Sequence, residues 1–176
     1  MEENKGLLLK SAMSYGLIMG IYWVIKYLFL IFGNSTRGLL FIYEILCFAV
    51  PFLAYYLTKR YRQDIGGYIG FFHAWQFGIL LYLFAALIVS VEHFIFYQYI
   101  APPDFLSNMI EQTLLTLKNT NVNSEILDAV SRTNFTPIQM AIQGIFSNIF
   151  YGILLSIPVA ACVCRKPKAD AEARTE

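Results

Sequence analysis

The sequence predicts an all-α membrane protein in which four transmembrane helices form one bundle, with an amphipathic helical segment in the loop between helices 3 and 4. Hydrophobic residues make up 57% of the 176 residues and charged residues 14%, whereas soluble domains have about half and about a quarter. The apolar residues lie in four stretches, each long enough at ~20 residues to cross a bilayer as a helix. The predicted spans are residues 12–32, 38–57, 70–99 and 138–162.

The basic residues predict how the spans are oriented. Nine of them lie in the N-terminal tail, the second connection and the C-terminal tail: Lys5, Lys10, Lys59, Arg60, Arg62, Arg165, Lys166, Lys168 and Arg174. The first and third connections contain only Arg37, Lys118 and Arg132. The positive-inside rule then places both termini in the cytoplasm. We expect a transmembrane domain over residues 1–164, an extracytoplasmic helical loop over 101–137 and a disordered cytoplasmic tail over 165–176.

The first two spans each contain one ionisable residue, Lys26 and Glu44. The short first connection makes these spans an antiparallel hairpin, so the two residues lie at similar depth in the outer half of the bilayer. A lone charge at the centre of a span costs ~2.5–3.5 kcal/mol, so such side chains generally have partners. We therefore expect Lys26 and Glu44 to pair. The alternatives are that Lys26 snorkels to the surface or belongs to a functional site.

Small residues recur every four positions along spans 1, 3 and 4 and predict flat ridges where helices approach closely. The glycines of these ridges are Gly16, Gly20, Gly66, Gly70, Gly78, Gly144 and Gly152. The ridge of span 3 is expected to begin at Gly66. We expect the ridges to pack on one another or on a second subunit.

The third span is longer than a membrane requires. From Tyr68 to Tyr99 a helix measures ~48 Å, against a hydrocarbon core of ~30 Å, so this helix must tilt, project outward or contain a break. Beyond it, apolar residues at spacings of three and four predict an amphipathic helix over 105–117, and a shorter helical turn is expected over 125–132. Thr136-Pro137-Ile138-Gln139 predicts a capped start of helix 4.

Six polar side chains of the spans are candidates for one pocket in the outer half of the membrane. They are Lys26, Glu44, Glu92, His93, Gln143 and Asn148. Glu92 and His93 reach this layer if helix 3 tilts and lie among lipid headgroups if it projects. Glu and His can relay protons or bind a cation, but no spacing here indicates a metal site. Near the cytoplasmic end, His73 and Gln76 are expected to anchor helix 3 at the interface.

Motifs for phosphate binding, dinucleotide binding, zinc proteolysis and serine hydrolysis are absent from the sequence. We therefore expect no catalytic residue, no cofactor and no metal. The net charge of +1 provides no basic field for nucleic acid.

Four segments of the sequence, Tyr15–Gly20, Thr58–Asp64, Gly70–Gly78 and Tyr97–Phe105, resemble an uncharacterised family of bacterial four-helix inner-membrane proteins, DUF4199. The similarity extends through about Pro158. It implies a four-helix protein of about this size in the bacterial cytoplasmic membrane. The resemblance implies no activity and assigns no functional residue.

These features favour a non-enzymatic accessory or scaffold component of an envelope complex, in contact with the bilayer and with a membrane-protein partner or a second copy of the chain. The alternative is a small oligomeric carrier or channel that uses the outer-half polar cluster. An enzyme acting on lipid headgroups is the third possibility, although its acidic and histidine side chains would be too scattered for one active site.

Overall fold

The predicted all-α fold is confirmed by a computed structural model, which describes residues 2–33, 37–120, 122–132 and 136–165. Its helices are α1 (Glu2–Gly33), α2 (Arg37–Asp64), α3 (Phe71–Ile95), α4 (Phe105–Asn119), α5 (Ser124–Arg132) and α6 (Pro137–Val163), with a π-helical turn, Phe96–Ile100, after α3. In these ranges the only β-type pairing is a single bridge between Ile69 and Arg165. The predicted disordered tail lies, beyond Arg165, outside the described residues.

Four helical segments are long and apolar enough to cross a membrane, which indicates a multi-pass membrane protein. They are Gly6–Gly33, Gly38–Asp64, Phe71–Ile100 and Pro137–Val163, with mean hydropathies of 1.8 to 2.2. All four predicted spans are therefore present. The largest difference from the predicted spans is in α2. This helix continues through the basic residues to Asp64, whereas the sequence predicted a span ending at residue 57.

The chain forms two compact units, residues 1–89 with 145–176 and residues 90–144. In the first unit the buried core follows one face of α3, where Phe77, Leu81, Tyr82, Ala85 and Val89 are at most 1% exposed. The spacing of three and four residues between them places their side chains on one side of the helix. The other helices of the unit pack around this side.

Close contact with small residues brings α1 against α3. Gly16 faces Phe84 and Gly20 faces Ile88, so the residue numbers rise together and the two helices run parallel. A Cβ atom on either glycine would lie less than 3.0 Å from these side chains. The backbones can approach this closely only because the side chain is absent, as is common between helices in lipid.

The same kind of contact joins α3 to α6. Gly78 of α3 faces Ser156, and Gly152 of α6 faces Tyr82. Here the numbers run in opposite directions, so the helices are antiparallel. Trp75 also donates a hydrogen bond from Nε1 to the Ile153 carbonyl oxygen, 3.1 Å away.

The predicted ridge of span 3 is wrong at its beginning. Gly66 and Gly70 precede α3, and among the described residues no atom beyond the two chain neighbours lies within 4 Å of the position that a Cβ would occupy on either of them. Gly66 and Gly67 have φ angles of +102° and +86°, a left-handed conformation that side chains disfavour. The glycines at 66 and 67 therefore form the turn between α2 and α3, and close helix packing in α3 begins further along.

In the second unit the α-helical pattern of α3 changes to a π-helical turn at Phe96. The Ala101 amide donates to the Phe96 carbonyl oxygen at 2.8 Å, five residues back, and the two prolines that follow cannot extend a helix. The long third span thus continues to Ile100 with a change of helix type, and its predicted tilt or outward projection stays a prediction.

The start of α6 follows the predicted capping box. The Thr136 amide donates to Gln139 Oε1 at 2.9 Å, and the Gln139 amide donates to Thr136 Oγ1 at 3.4 Å. Pro137 occupies the first position of the helix, where its missing amide hydrogen has no helical partner to lose.

Candidate functional site

Lys26 lies inside the first span and is only 7% exposed. Its Nζ is 4.4 Å from the ring centroid of Tyr27, 5.5 Å from that of Trp23 and 5.6 Å from that of Tyr43. Trp23 stands one helical turn before Lys26, and Tyr43 reaches it from α2. A cation over aromatic faces gains ~0.5–2 kcal/mol, so these rings replace part of the hydration that an ammonium loses in lipid.

The packing of α1 against α2 decides which side chains reach this ammonium. The helices are antiparallel, and the Tyr22 hydroxyl donates to the Leu46 carbonyl oxygen at 2.7 Å. In this register Tyr43 points towards Lys26, while Glu44, the next residue, is exposed. The Lys26–Glu44 ion pair stays a prediction.

A pocket of about 450 Å³ opens beside Lys26 between the helices of the first unit. Its lining residues are Trp23, Lys26, Tyr27, Cys47, Phe48, Val50, Pro51, Tyr82, Asn148, Tyr151 and Leu155. Lys26 and Asn148, two members of the predicted polar cluster, therefore share one pocket. Lys26 is seven residues from the end of its candidate span at Gly33, about 10 Å along the helix axis.

Two polar atoms of residues that line this pocket have no hydrogen-bond partner among the described residues. They are Nε1 of Trp23 and the hydroxyl of Tyr82, and both are shielded from solvent. Trp23 is 4% exposed and Tyr82 1%. Their rings are in contact, with centroids 5.7 Å apart. Leaving a buried donor without an acceptor costs ~1–3 kcal/mol, so such atoms are uncommon in a structural core.

Glu92, His93 and Gln143 of the predicted cluster lie in the second unit, whereas Glu44 is exposed on α2 in the first. His93 lies against Gly144, with Nδ1 3.3 Å from the position of a Cβ on that glycine. The carboxylate oxygens of Glu92 are buried, and Gln143 is exposed. Within the part of the chain that the structure describes, no group of three His, Cys, Asp or Glu side chains is placed to hold a metal ion. A single pocket containing all six residues stays a prediction.

A second polar cluster, which we call the Tyr61 cluster, lies where α2 turns into α3. The Tyr61 hydroxyl and His73 Nε2 share a hydrogen bond of 2.8 Å, and the Tyr61 ring stacks on Phe77 with centroids 4.1 Å apart. Arg62, 8% exposed, donates from Nη1 to the Val163 carbonyl oxygen at 2.9 Å. His73 is thus anchored by Tyr61, while Gln76 is exposed.

Sequence reasoning missed Trp23, Tyr43 and Tyr82 as parts of the site. The spacing between Trp23 and Lys26 was available as a signal, because residues three apart share one helix face. Tyr43 and Tyr82 carried no such signal, since their proximity depends on how three helices are rotated against one another. Arg62 was counted with a connection because charged residues ended the apolar stretch.

No curated protein and no solved structure matches the chain. The family described as "Protein of unknown function (DUF4199)" matches residues 14–165, which cover all four candidate spans except the first residues of α1. The chain belongs to this family.

Proposed function

We propose that this protein is a non-enzymatic accessory component of the bacterial cytoplasmic membrane, which docks on another envelope protein through the α4–α5 hairpin. The observation that carries this proposal is that neither helix of the hairpin has a buried residue. Both helices nevertheless have an apolar stripe. Its members in α4 are Phe105, Leu106, Met109, Ile110, Leu114 and Leu117, all half-buried.

The charge of the hairpin favours a protein partner over the membrane surface. Helices that lie on anionic lipid are rich in Lys and Arg on their polar face. Between residues 105 and 132 the basic residues are Lys118 and Arg132, whereas Glu111, Glu125 and Asp128 are acidic. A hairpin of this composition gains little electrostatic attraction from anionic headgroups. Contact with a partner protein is therefore the more favourable way to bury its apolar stripe.

The glycine contacts do not provide the docking surface. Those at Gly16, Gly20, Gly78 and Gly152 are all made inside the first unit. This leaves the hairpin as the surface proposed for an envelope partner or a second copy. With both termini in the cytoplasm, as the distribution of basic residues favours, the hairpin faces outward.

Site-specific photo-crosslinking in intact cells tests this proposal. A crosslinking residue at Leu114, on the stripe, should give a discrete protein adduct, while the same residue at Gln112, on the exposed opposite side, should not. Adducts to lipid alone at Leu114 would mean that the stripe lies on the membrane. Equal adducts at both positions would indicate non-specific collision.

A small oligomeric carrier or channel is the second candidate, favoured by the shared pocket of Lys26 and Asn148. Four spans leave little room for a path in one subunit, so this function requires an oligomer. Transport into proteoliposomes that is slower with the Glu44→Gln or Glu92→Gln variant than with the wild-type protein would support it. Flux unchanged in both variants would remove these carboxylates from the mechanism.

A further inference from the structure

Two of the polar groups that line the pocket, those of Lys26 and Trp23, only donate hydrogen bonds. An ammonium and an indole have donors and no acceptor, and an ammonium has three N–H groups, so Lys26 can donate to a ligand in addition to its other contacts. Tyr82 supplies a hydroxyl and Asn148 an amide. The complement of this set is a molecule that presents acceptor oxygens.

Two of these donors are already buried and lack an acceptor among the described residues. Trp23 Nε1 and the Tyr82 hydroxyl are both shielded from solvent. A ligand in the pocket would reach either atom after a shift of the neighbouring side chains. The hydrogen bond formed would recover the cost of the unsatisfied donor, which gives the ligand an advantage over an empty pocket.

The remaining walls are apolar and largely aromatic. Tyr27, Phe48 and Tyr151 contribute rings, and Phe48 and Tyr151 are 75% and 60% exposed on helices that are candidate membrane spans. The opening of the pocket therefore faces the lipid phase. Flat rings stack favourably on aromatic walls, and a ligand can enter sideways from the bilayer.

The charge of a lipid-borne ligand affects how easily it enters the pocket. A phospholipid phosphate is charged and strongly hydrated, so leaving the interface is costly for it. A fatty-acid carboxylate would have to lose its hydration to reach the site, and only pairing with Lys26 would offset that cost. A neutral carbonyl compound loses much less on entering.

We propose that this pocket binds a lipid-soluble quinone, whose flat ring packs against the aromatic walls and whose carbonyl oxygens accept hydrogen bonds from Lys26 and from Tyr82 or Trp23. This ligand site is independent of the docking role of the hairpin. Its failure would leave that role untouched, and a lack of crosslinks at Leu114 would not affect the pocket.

Thermal denaturation of the full chain in mild detergent tests the site with decyl-benzoquinone as the probe. The quinone should raise Tm in a saturable manner, since a ligand bound only by the folded state stabilises it. Decylbenzene, with the same tail and no carbonyl, and oleate, with a carboxylate, should not. An equal rise with decylbenzene, or a rise with oleate alone, would overturn the proposal.

The Tyr82→Phe variant tests whether the Tyr82 hydroxyl donates to the ligand or to another group of the protein. The hydroxyl has no partner in the described residues, so its removal should leave the unliganded Tm unchanged or higher. The affinity for the quinone should fall roughly three- to tenfold, the value of one hydrogen bond. Tyr61→Phe is the matched control, because it should lower the unliganded Tm and keep the affinity. Wild-type affinity in both Tyr82→Phe and Trp23→Phe would refute the site.

Discussion

The two units of this chain use apolar residues in opposite ways. In the first unit, Leu81 is completely buried, among other core residues of α3. In the second, Leu115 of α4 is 53% exposed, and α4 and α5 have no buried residue at all. The first unit therefore holds the packing that maintains the fold. The hairpin has apolar surface that its own helices leave uncovered.

Leu→Ala substitutions in the two units test this difference in packing. Leu81→Ala should lower the free energy of unfolding by about 3 kcal/mol, because a cavity remains where packing contacts were lost. Leu115→Ala, the same chemical change in an exposed helix position, should cost less than about 1 kcal/mol. Denaturation in SDS–bicelle mixtures measures both, and equal losses would show that the hairpin is as well packed as the core.

Arg62 tests whether the basic end of α2 belongs to the packed unit. Arg62→Met removes the hydrogen bond to the Val163 carbonyl oxygen and should cost about 2 kcal/mol, the range for a bond to a charged group. Arg60→Met is the control, since Arg60 is exposed and should tolerate the change. If the two variants unfold alike, the buried contact of Arg62 has no role in stability.

Removing one of the aromatic rings around Lys26 should have a smaller effect on the free energy of unfolding. Tyr43→Leu removes a ring whose centroid is 5.6 Å from Nζ, and it should cost about 1 kcal/mol. Tyr43→Phe keeps the aromatic face and should remain close to wild type. The same unfolding assay distinguishes them, and equal behaviour of the two variants would mean that the ring face is not what stabilises the ammonium.

The sequence predicted the features that depend on local patterns. Long apolar stretches require helices in a membrane, and Thr136 and Gln139 form their capping box through neighbours three residues apart. It failed where two local patterns competed, because consecutive glycines also mark turns. Gly66 continued a four-residue pattern, but that pattern could not show that the chain turns there with positive φ.

The candidate site was harder to predict because it combines residues from four helices. Lys26 was singled out as a charge in an apolar span, which needs only composition. The position of Tyr43 near Lys26 depends on the rotation of α2, in which successive side chains are about 100° apart. Tyr82 looked like any aromatic core residue until its hydroxyl was found without an acceptor.

Within the first unit, the contributions of the Tyr61 and Tyr82 hydroxyls to stability can be compared directly. Tyr61→Phe removes the hydrogen bond to His73 and should lower the free energy of unfolding by about 0.6 kcal/mol, the average for side-chain hydrogen bonds between membrane helices. Tyr82→Phe removes a hydroxyl that has no hydrogen-bond partner among the described residues and should cost nothing.

Both rings stay in place in these variants, the first on Phe77 and the second beside Trp23, so the difference isolates the hydroxyl groups. A loss in Tyr82→Phe as large as in Tyr61→Phe would show that the Tyr82 hydroxyl has a structural partner in the folded protein. The packed unit would then have no spare donor at this position. A loss in Tyr61→Phe but not in Tyr82→Phe would show that the buried Tyr82 hydroxyl does not stabilise the fold. The hydroxyl would then remain as a donor for a ligand in the pocket.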